Sequence, residues 1–143
     1  MSAVKEPLER LKRLGHERDI APYLSGAAGV VALAFGLVLW VSAMRVAASP
    51  TFGRAAEVAP ITTWGVVFML TGLVVLLCLA RRPEALTLSL LVLALLMLAW
   101  AFLAGIASAY DGGVATAAVA YTGLSAFTSL AALAASWRQT GRP

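Results

Sequence analysis

The sequence holds one cysteine and one histidine in 143 residues, and Asp and Glu together number only 7. A lone thiol, Cys78, forms no internal disulfide, which excludes the stapled framework of a small secreted domain. A lone imidazole, His16, has no second ligand beside it, so no zinc or iron set can be assembled and no metal or cofactor is expected. Neither a Ser-His-Asp arrangement nor a carboxylate pair at working distance is visible, and an enzyme is not expected. Charged residues make up 13 % of the chain, against about 25 % in a soluble domain. The net charge of +4 is scattered over the connecting segments, not gathered into the basic stripe of a nucleic-acid-binding surface.

What replaces charge is apolar surface. Hydrophobic residues make up 61 % of the chain and the mean hydropathy is +0.87. One core of this size hides only part of so much apolar area from water. Lipid is therefore the solvent for most of the chain. Four stretches, 23–44, 61–80, 85–109 and 114–137, each come close to the roughly 20 residues that cross a bilayer core as a helix. None has an acidic or basic residue in its interior, and Arg45 at the far end of the first can snorkel to the headgroups. The fold class that follows is all-α: an integral membrane four-helix bundle of two tandem hairpins, residues 22–137. A helix at 1–21 precedes it and a short basic tail at 138–143 follows.

Cationic residues orient the bundle. Lys5, Arg10, Lys12, Arg13 and Arg18 precede span one, Arg81 and Arg82 separate spans two and three, and Arg138 and Arg142 follow span four. Only Arg45 and Arg54 fall on the opposite side. The positive-inside rule then places both termini and the Arg81–Pro83 turn in the cytoplasm, with the chain multi-pass in the cytoplasmic membrane. Trp40, Trp64, Trp100 and Tyr110 fall toward the outer interface and Tyr23 and Trp137 toward the inner one. Val46-Ala47-Ala48 has some likeness to a signal-peptidase site. The apolar run before it exceeds the 7–15 residues of a signal core, so span one is expected to be retained.

Outside the spans, Val4, Leu8, Leu11 and Leu14 recur at helical spacing over residues 2–20 and describe an amphipathic helix lying on the bilayer. A helix that docks a partner is the other reading of the same face. His16 on it reads as solvated. The longest outer connection is Val46–Pro60. The second, Tyr110-Asp111-Gly112-Gly113, reads as a tight turn whose glycines supply positive φ, with Asp111 free to pair with Arg45 or Arg54. In the inner turn Arg81-Arg82-Pro83-Glu84, Pro83 stops span two and Glu84 suits the start of span three.

With ionisable groups absent at depth, packing is the chemistry that remains. Ala118, Thr122, Ser125, Ser129, Ala132 and Ser136 alternate by four and three residues, giving span four a small and polar stripe. Ser25, Gly29, Ala32, Gly36 and Ala43 give span one a similar stripe, broken by Leu39. Spans two and three are richer in Leu and Val. The expectation is that spans one and four pack through their stripes while span three faces lipid. The stripe on span four has two readings: packing within one bundle, or a face on which copies of the chain associate and line a weakly polar pore with Thr122, Ser125 and Ser129. Thr71-Gly72-Leu73 also recurs as Thr122-Gly123-Leu124, and Trp40 and Trp100 hold matching depths in spans one and three, as in a duplicated hairpin.

A cationic N-terminal helix, charge-free spans, the Arg81-Arg82-Pro83-Glu84 turn and the tail Arg138–Pro143 together resemble the small multi-span holins and holin-like proteins of phages of high-GC hosts. The tail is less basic, and the spans more numerous, than in many of them. The resemblance implies timed oligomerisation, permeabilisation of the inner membrane and release or activation of a lytic enzyme. Two other functions fit the residues. One is an accessory or assembly subunit of a larger membrane complex, motivated by the amphipathic N-terminus. The other is a small oligomeric channel or exporter. Small multidrug exporters share the four short spans but depend on a carboxylate in the first, and span one here has no acid. The expected partners are the lipid bilayer and either a second copy or another membrane protein, with no nucleic acid.

Overall fold

A computed structural model of the chain describes residues 21–111 and 113–140, with side chains to Ser136. The segment expected to form an amphipathic helix, with Arg10, Lys12, Arg13, His16 and Arg18, lies outside the described residues, as does the side chain of Arg138. The elements run α1 (Ala21–Val41), α2 (Ala43–Ala47), α3 (Gly53–Val58), α4 (Ile61–Arg81), α5 (Pro83–Tyr110) and α6 (Ala115–Thr140). The four long helices carry spans of mean hydropathy 2.2, 2.3, 2.6 and 1.5, long and apolar enough to cross a membrane. The chain is an all-α four-helix bundle with the character of an integral membrane protein.

Local chemistry sets the helix ends. Pro83 occupies the first turn of α5, where a missing N–H is no loss, and Glu84 beside it meets the positive end of the helix dipole. Arg81 lies in the last turn of α4, at the negative end. The turn after α5 is closed by Asp111 N–H and Gly113 N–H, both donating to the Ala107 carbonyl at 2.9 and 3.0 Å. Gly113 is needed there for close approach: a Cβ on it would meet the Ala107 backbone at 3.0 Å, and its φ is not in the left-handed region. That corrects the reading of Gly113 as a source of positive φ; Gly112 lies outside the described residues.

The helices close in the cyclic order α1, α4, α5, α6, each antiparallel to its neighbours. α1 packs most extensively on α4 and α5 on α6, with smaller contacts between α4 and α5 and between α1 and α6. The expected close pairing of spans one and four is therefore corrected. The stripe of span one meets span two, because Gly65 and Gly72 repeat the seven-residue separation of Gly29 and Gly36 and let the two backbones touch.

Span three is corrected as well. Leu86, Leu90, Leu93, Met97, Trp100, Ala104 and Ala107, alternating by four and three residues, are all buried. Leu88, Leu91, Leu95, Leu98 and Phe102 take the opposite face and are exposed. Leucine suits a neighbouring helix as well as an acyl chain, so a Leu-rich span need not face lipid. The buried stripe tapers from leucine at one end of α5 to alanine at the other, where the 46–60 connection settles onto the bundle.

Candidate functional site

Two seams and one capped end hold the small and polar residues. In the first seam, Ser25, Gly29, Ala32 and Gly36 of α1 are all buried. Gly29 lies against Gly72 and Gly36 against Gly65, close enough that a Cβ on Gly72 would stand 2.7 Å from the Gly29 carbonyl oxygen. The Ser25 hydroxyl turns back to the Ala21 carbonyl at 2.8 Å and leaves the seam apolar.

In the second seam the stripe read on span four divides. Ser125 and Ala132 are buried, Ala118 and Ser136 half-buried, and Thr122 and Ser129 face outward. The buried face of α6 is instead Ser125, Thr128, Ala131, Ala132 and Ala135. Ser125 donates across the seam to the Ala94 carbonyl at 2.9 Å. Its hydroxyl thus crosses to a neighbouring span. Thr122, Thr128, Ser129 and Ser136 bond carbonyls of their own helix at 2.8–2.9 Å. Hydroxyls satisfied in this way do not require a partner helix.

The capped end was not foreseen. Trp100 is 1 % exposed and stands in a ring of aromatic side chains. It lies edge-on to Trp64 at 5.2 Å, to Phe68 at 5.8 Å and to Phe35 at 5.9 Å, and is stacked on Phe52 at 5.7 Å. Tyr121 of α6 completes the ring. Trp100 is thus turned inward, while Trp40 at 54 % exposure faces outward. The indole N–H of Trp100 completes no hydrogen bond of good geometry; the Tyr121 hydroxyl of α6 stands nearby as a weak acceptor, and the surrounding ring faces add only weak N–H···π attraction.

Segment 46–60 folds over this cluster as a lid. Ala55 is buried, and its carbonyl accepts from Trp64 Nε1 at 3.0 Å. Thr51 Oγ1 accepts from the Val114 backbone N–H at 3.1 Å, tying the two loops of this end together. Arg54 reinforces the tie. Its Nε and Nη2 donate to the two carboxylate oxygens of Asp111 at 2.6 and 3.0 Å, and Nη1 reaches Glu57 at 3.1 Å. Hydrogen bonds to Asp111 first and Glu57 second raise the already high Arg54 pKa further, so the latch stays cationic at any ordinary pH. Asp111 therefore pairs with Arg54. Arg45 lies exposed after the first span, and Arg81 and Arg82 are exposed at the opposite end of the bundle.

The matched motifs occupy unlike surroundings. Gly72 is wedged against Gly29, whereas nothing lies within 4 Å of a Cβ on Gly123. Trp40 is exposed and Trp100 buried. The tandem layout survives as two tightly packed hairpins, but the repeated residues do different work in each.

Among the described residues no group of three His, Cys, Asp or Glu gathers to hold a metal. Comparison of the chain with protein families, characterised proteins and solved structures gave no match.

Proposed function

We propose that the chain is a non-enzymatic membrane protein that works by helix–helix association. Its copies meet through the outward face of α6 and form a holin-like oligomer that permeabilises the cytoplasmic membrane. The supporting observation is a mismatch between α6 and its surroundings. Its span has a mean hydropathy of 1.5, the lowest of the four, yet only 22 % of it is buried within its own bundle. The exposed face presents Thr116, Ala120, Thr122, Gly123, Ala126 and Ser129, interleaved with Val119, Leu130 and Leu133. The outward face of α5 is leucine and phenylalanine, which lipid covers well. Small side chains bring backbones together and make few contacts with acyl chains, so this face gains most from another helix. A single copy fills its own centre with Phe68, Leu90, Leu93 and Trp100, so any pore lies between copies.

A subunit role in a larger complex is favoured by a different observation. The glycine seam and Ser125 are used up inside the bundle, leaving one small-residue face, which is what one partner span needs. Both termini in the cytoplasm, as the cationic residues imply, suits either role.

The mass of the particle extracted from membranes in mild detergent separates the two. Assemblies of this chain alone support the oligomer, and a complex with a second protein supports the subunit. Induced expression in a bacterium while following membrane potential tests permeabilisation. An intact potential at high membrane levels would exclude the holin-like reading.

A further inference from the structure

We infer that the Arg81–Arg82 end of α4 carries a binding site for an anionic phospholipid. This goes beyond the proposed association of copies and does not depend on it. Val74, Leu77, Cys78, Arg81 and Arg82 line a cleft of about 200 Å³ along this end of the helix. Val74, Leu77, Cys78 and Arg81 are spaced three, one and three residues apart, which puts them on one face of the helix. The face changes character along its length. Val74 and Leu77 are exposed apolar side chains, Cys78 is half-buried, and two guanidinium groups stand at the helix terminus.

The turn keeps both arginines outward. Arg82 caps α4 with its N–H on the Cys78 carbonyl at 2.9 Å, and Pro83 begins α5 immediately after it. Among the described residues neither arginine is in an ion pair; both ion pairs belong to Arg54, at the other end of the bundle. Glu84, the nearest acid in sequence, is exposed in the first turn of α5 and pairs with neither.

A ligand that fits has an anionic head one helical turn beyond an apolar tail. A phosphodiester lies between the arginines, whose planar forks match phosphate oxygens two at a time. The first part of an acyl chain then runs down past Cys78 and Leu77 to Val74. Basic pockets at the ends of spans hold anionic headgroups through this chemistry. A soluble phosphate compound would use the arginines and leave the apolar wall uncovered, so the occupant is a lipid.

The test reconstitutes the full chain in nanodiscs of phosphatidylcholine, with and without phosphatidylglycerol. It reads the phosphatidylglycerol retained per protein after re-extraction and the rate at which maleimide alkylates Cys78. In the wild type phosphatidylglycerol is retained and slows alkylation. Each arginine near an anionic surface is worth about fivefold, so Arg81→Gln with Arg82→Gln lowers retention about 25-fold and abolishes the protection of Cys78. Arg45→Gln, in α2 at the other end of the bundle, leaves both unchanged. Leu77→Trp fills the cleft without touching the charge and lowers retention as well. Equal retention by the wild type and the double arginine variant overturns the proposal. So does full retention by Leu77→Trp, which would mean diffuse surface attraction, and so does equal protection of Cys78 by soluble glycerol phosphate in discs of phosphatidylcholine alone.

Discussion

A methyl group built on Gly36 would lie 2.6 Å from the carbonyl oxygen of Gly65, and one built on Gly65 would lie 2.8 Å from the carbonyl oxygen of Gly36. The two helices touch backbone to backbone, and the obstacle on each side is a carbonyl that no rotamer change can move. Gly36→Ala or Gly65→Ala must therefore push α1 and α4 apart, at a cost of about 1–3 kcal/mol from overpacking. Gly26→Ala is the control, because its Cβ would meet Leu79 Cδ2 at an ordinary 3.5 Å. Denaturation of the purified protein by increasing SDS in mixed micelles should lower the midpoint for the first two variants and leave the third near wild type.

Trp100 separates ring packing from hydrogen bonding. Its side chain touches four other aromatic rings from α1, the lid and α4, as well as Tyr121. Trp100→Ala should cost about 3–5 kcal/mol, the usual range for emptying a buried aromatic site. Trp100→Phe keeps a ring in place and removes an N–H that forms no well-aligned hydrogen bond. It should stay within about 1.5 kcal/mol of wild type. The same SDS titration orders the two, and equal losses would mean that the indole N–H matters more than the ring.

Hydropathy located the four spans because lipid demands an uninterrupted apolar run of fixed length, and that demand is written residue by residue. It could not say which side of a span faces protein. Leu93 and Leu95 are chemically alike, yet one is buried and the other exposed. The helix partners were partly legible: Gly29 and Gly36 in span one and Gly65 and Gly72 in span two share a seven-residue separation, a match hidden by the Leu and Val around the second pair. The hydroxyl stripe of span four misled because Ser and Thr bond their own helix, as Thr122 does to the Ala118 carbonyl at 2.8 Å. Spacing alone therefore does not reveal which hydroxyl crosses to a neighbour. The lid was legible only in part: charge offered Arg54 as one of two partners for Asp111, and the two do pair, but the seating of Phe52 on Trp100 and of the Ala55 carbonyl on Trp64 follows no local pattern.

The Arg54 latch should respond to charge and to salt. Arg54→Gln or Asp111→Asn removes the two-point contact between the lid and the second loop. Either change should raise acrylamide quenching of tryptophan fluorescence and speed protease cleavage within 46–60, while the helices stay folded. Because the Arg54 pKa is raised, its contribution is lost only as pH climbs through that raised value. Moving from neutral to mildly alkaline buffer should therefore leave quenching unchanged, whereas high salt should increase it. The exchange Arg54→Asp with Asp111→Arg should restore much of the protection.

Two serines one helical turn apart distinguish the fold from the proposed assembly. Ser125 is buried and donates to the Ala94 carbonyl, while Ser129 is exposed and bonded to the Ser125 carbonyl of its own helix. Ser125→Ala should destabilise the bundle by about 1 kcal/mol, the scale of an interhelical hydrogen bond in a membrane. Ser125→Ile should do more, because a branched side chain has to enter the α5–α6 seam. Neither result bears on association. Ser129→Ile and Gly123→Ile alter only the outward face, where a Cβ on Gly123 meets nothing within 4 Å, so both should leave the SDS midpoint of the single bundle unchanged. If copies meet through this face, both should reduce the mass of the detergent-extracted particle to that of one chain and prevent depolarisation on induced expression. If the assemblies persist intact in both variants, α6 is not the association face. The low hydropathy of its span would then need another explanation, and the oligomer would have to be built on the outward side of α1, α4 or α5.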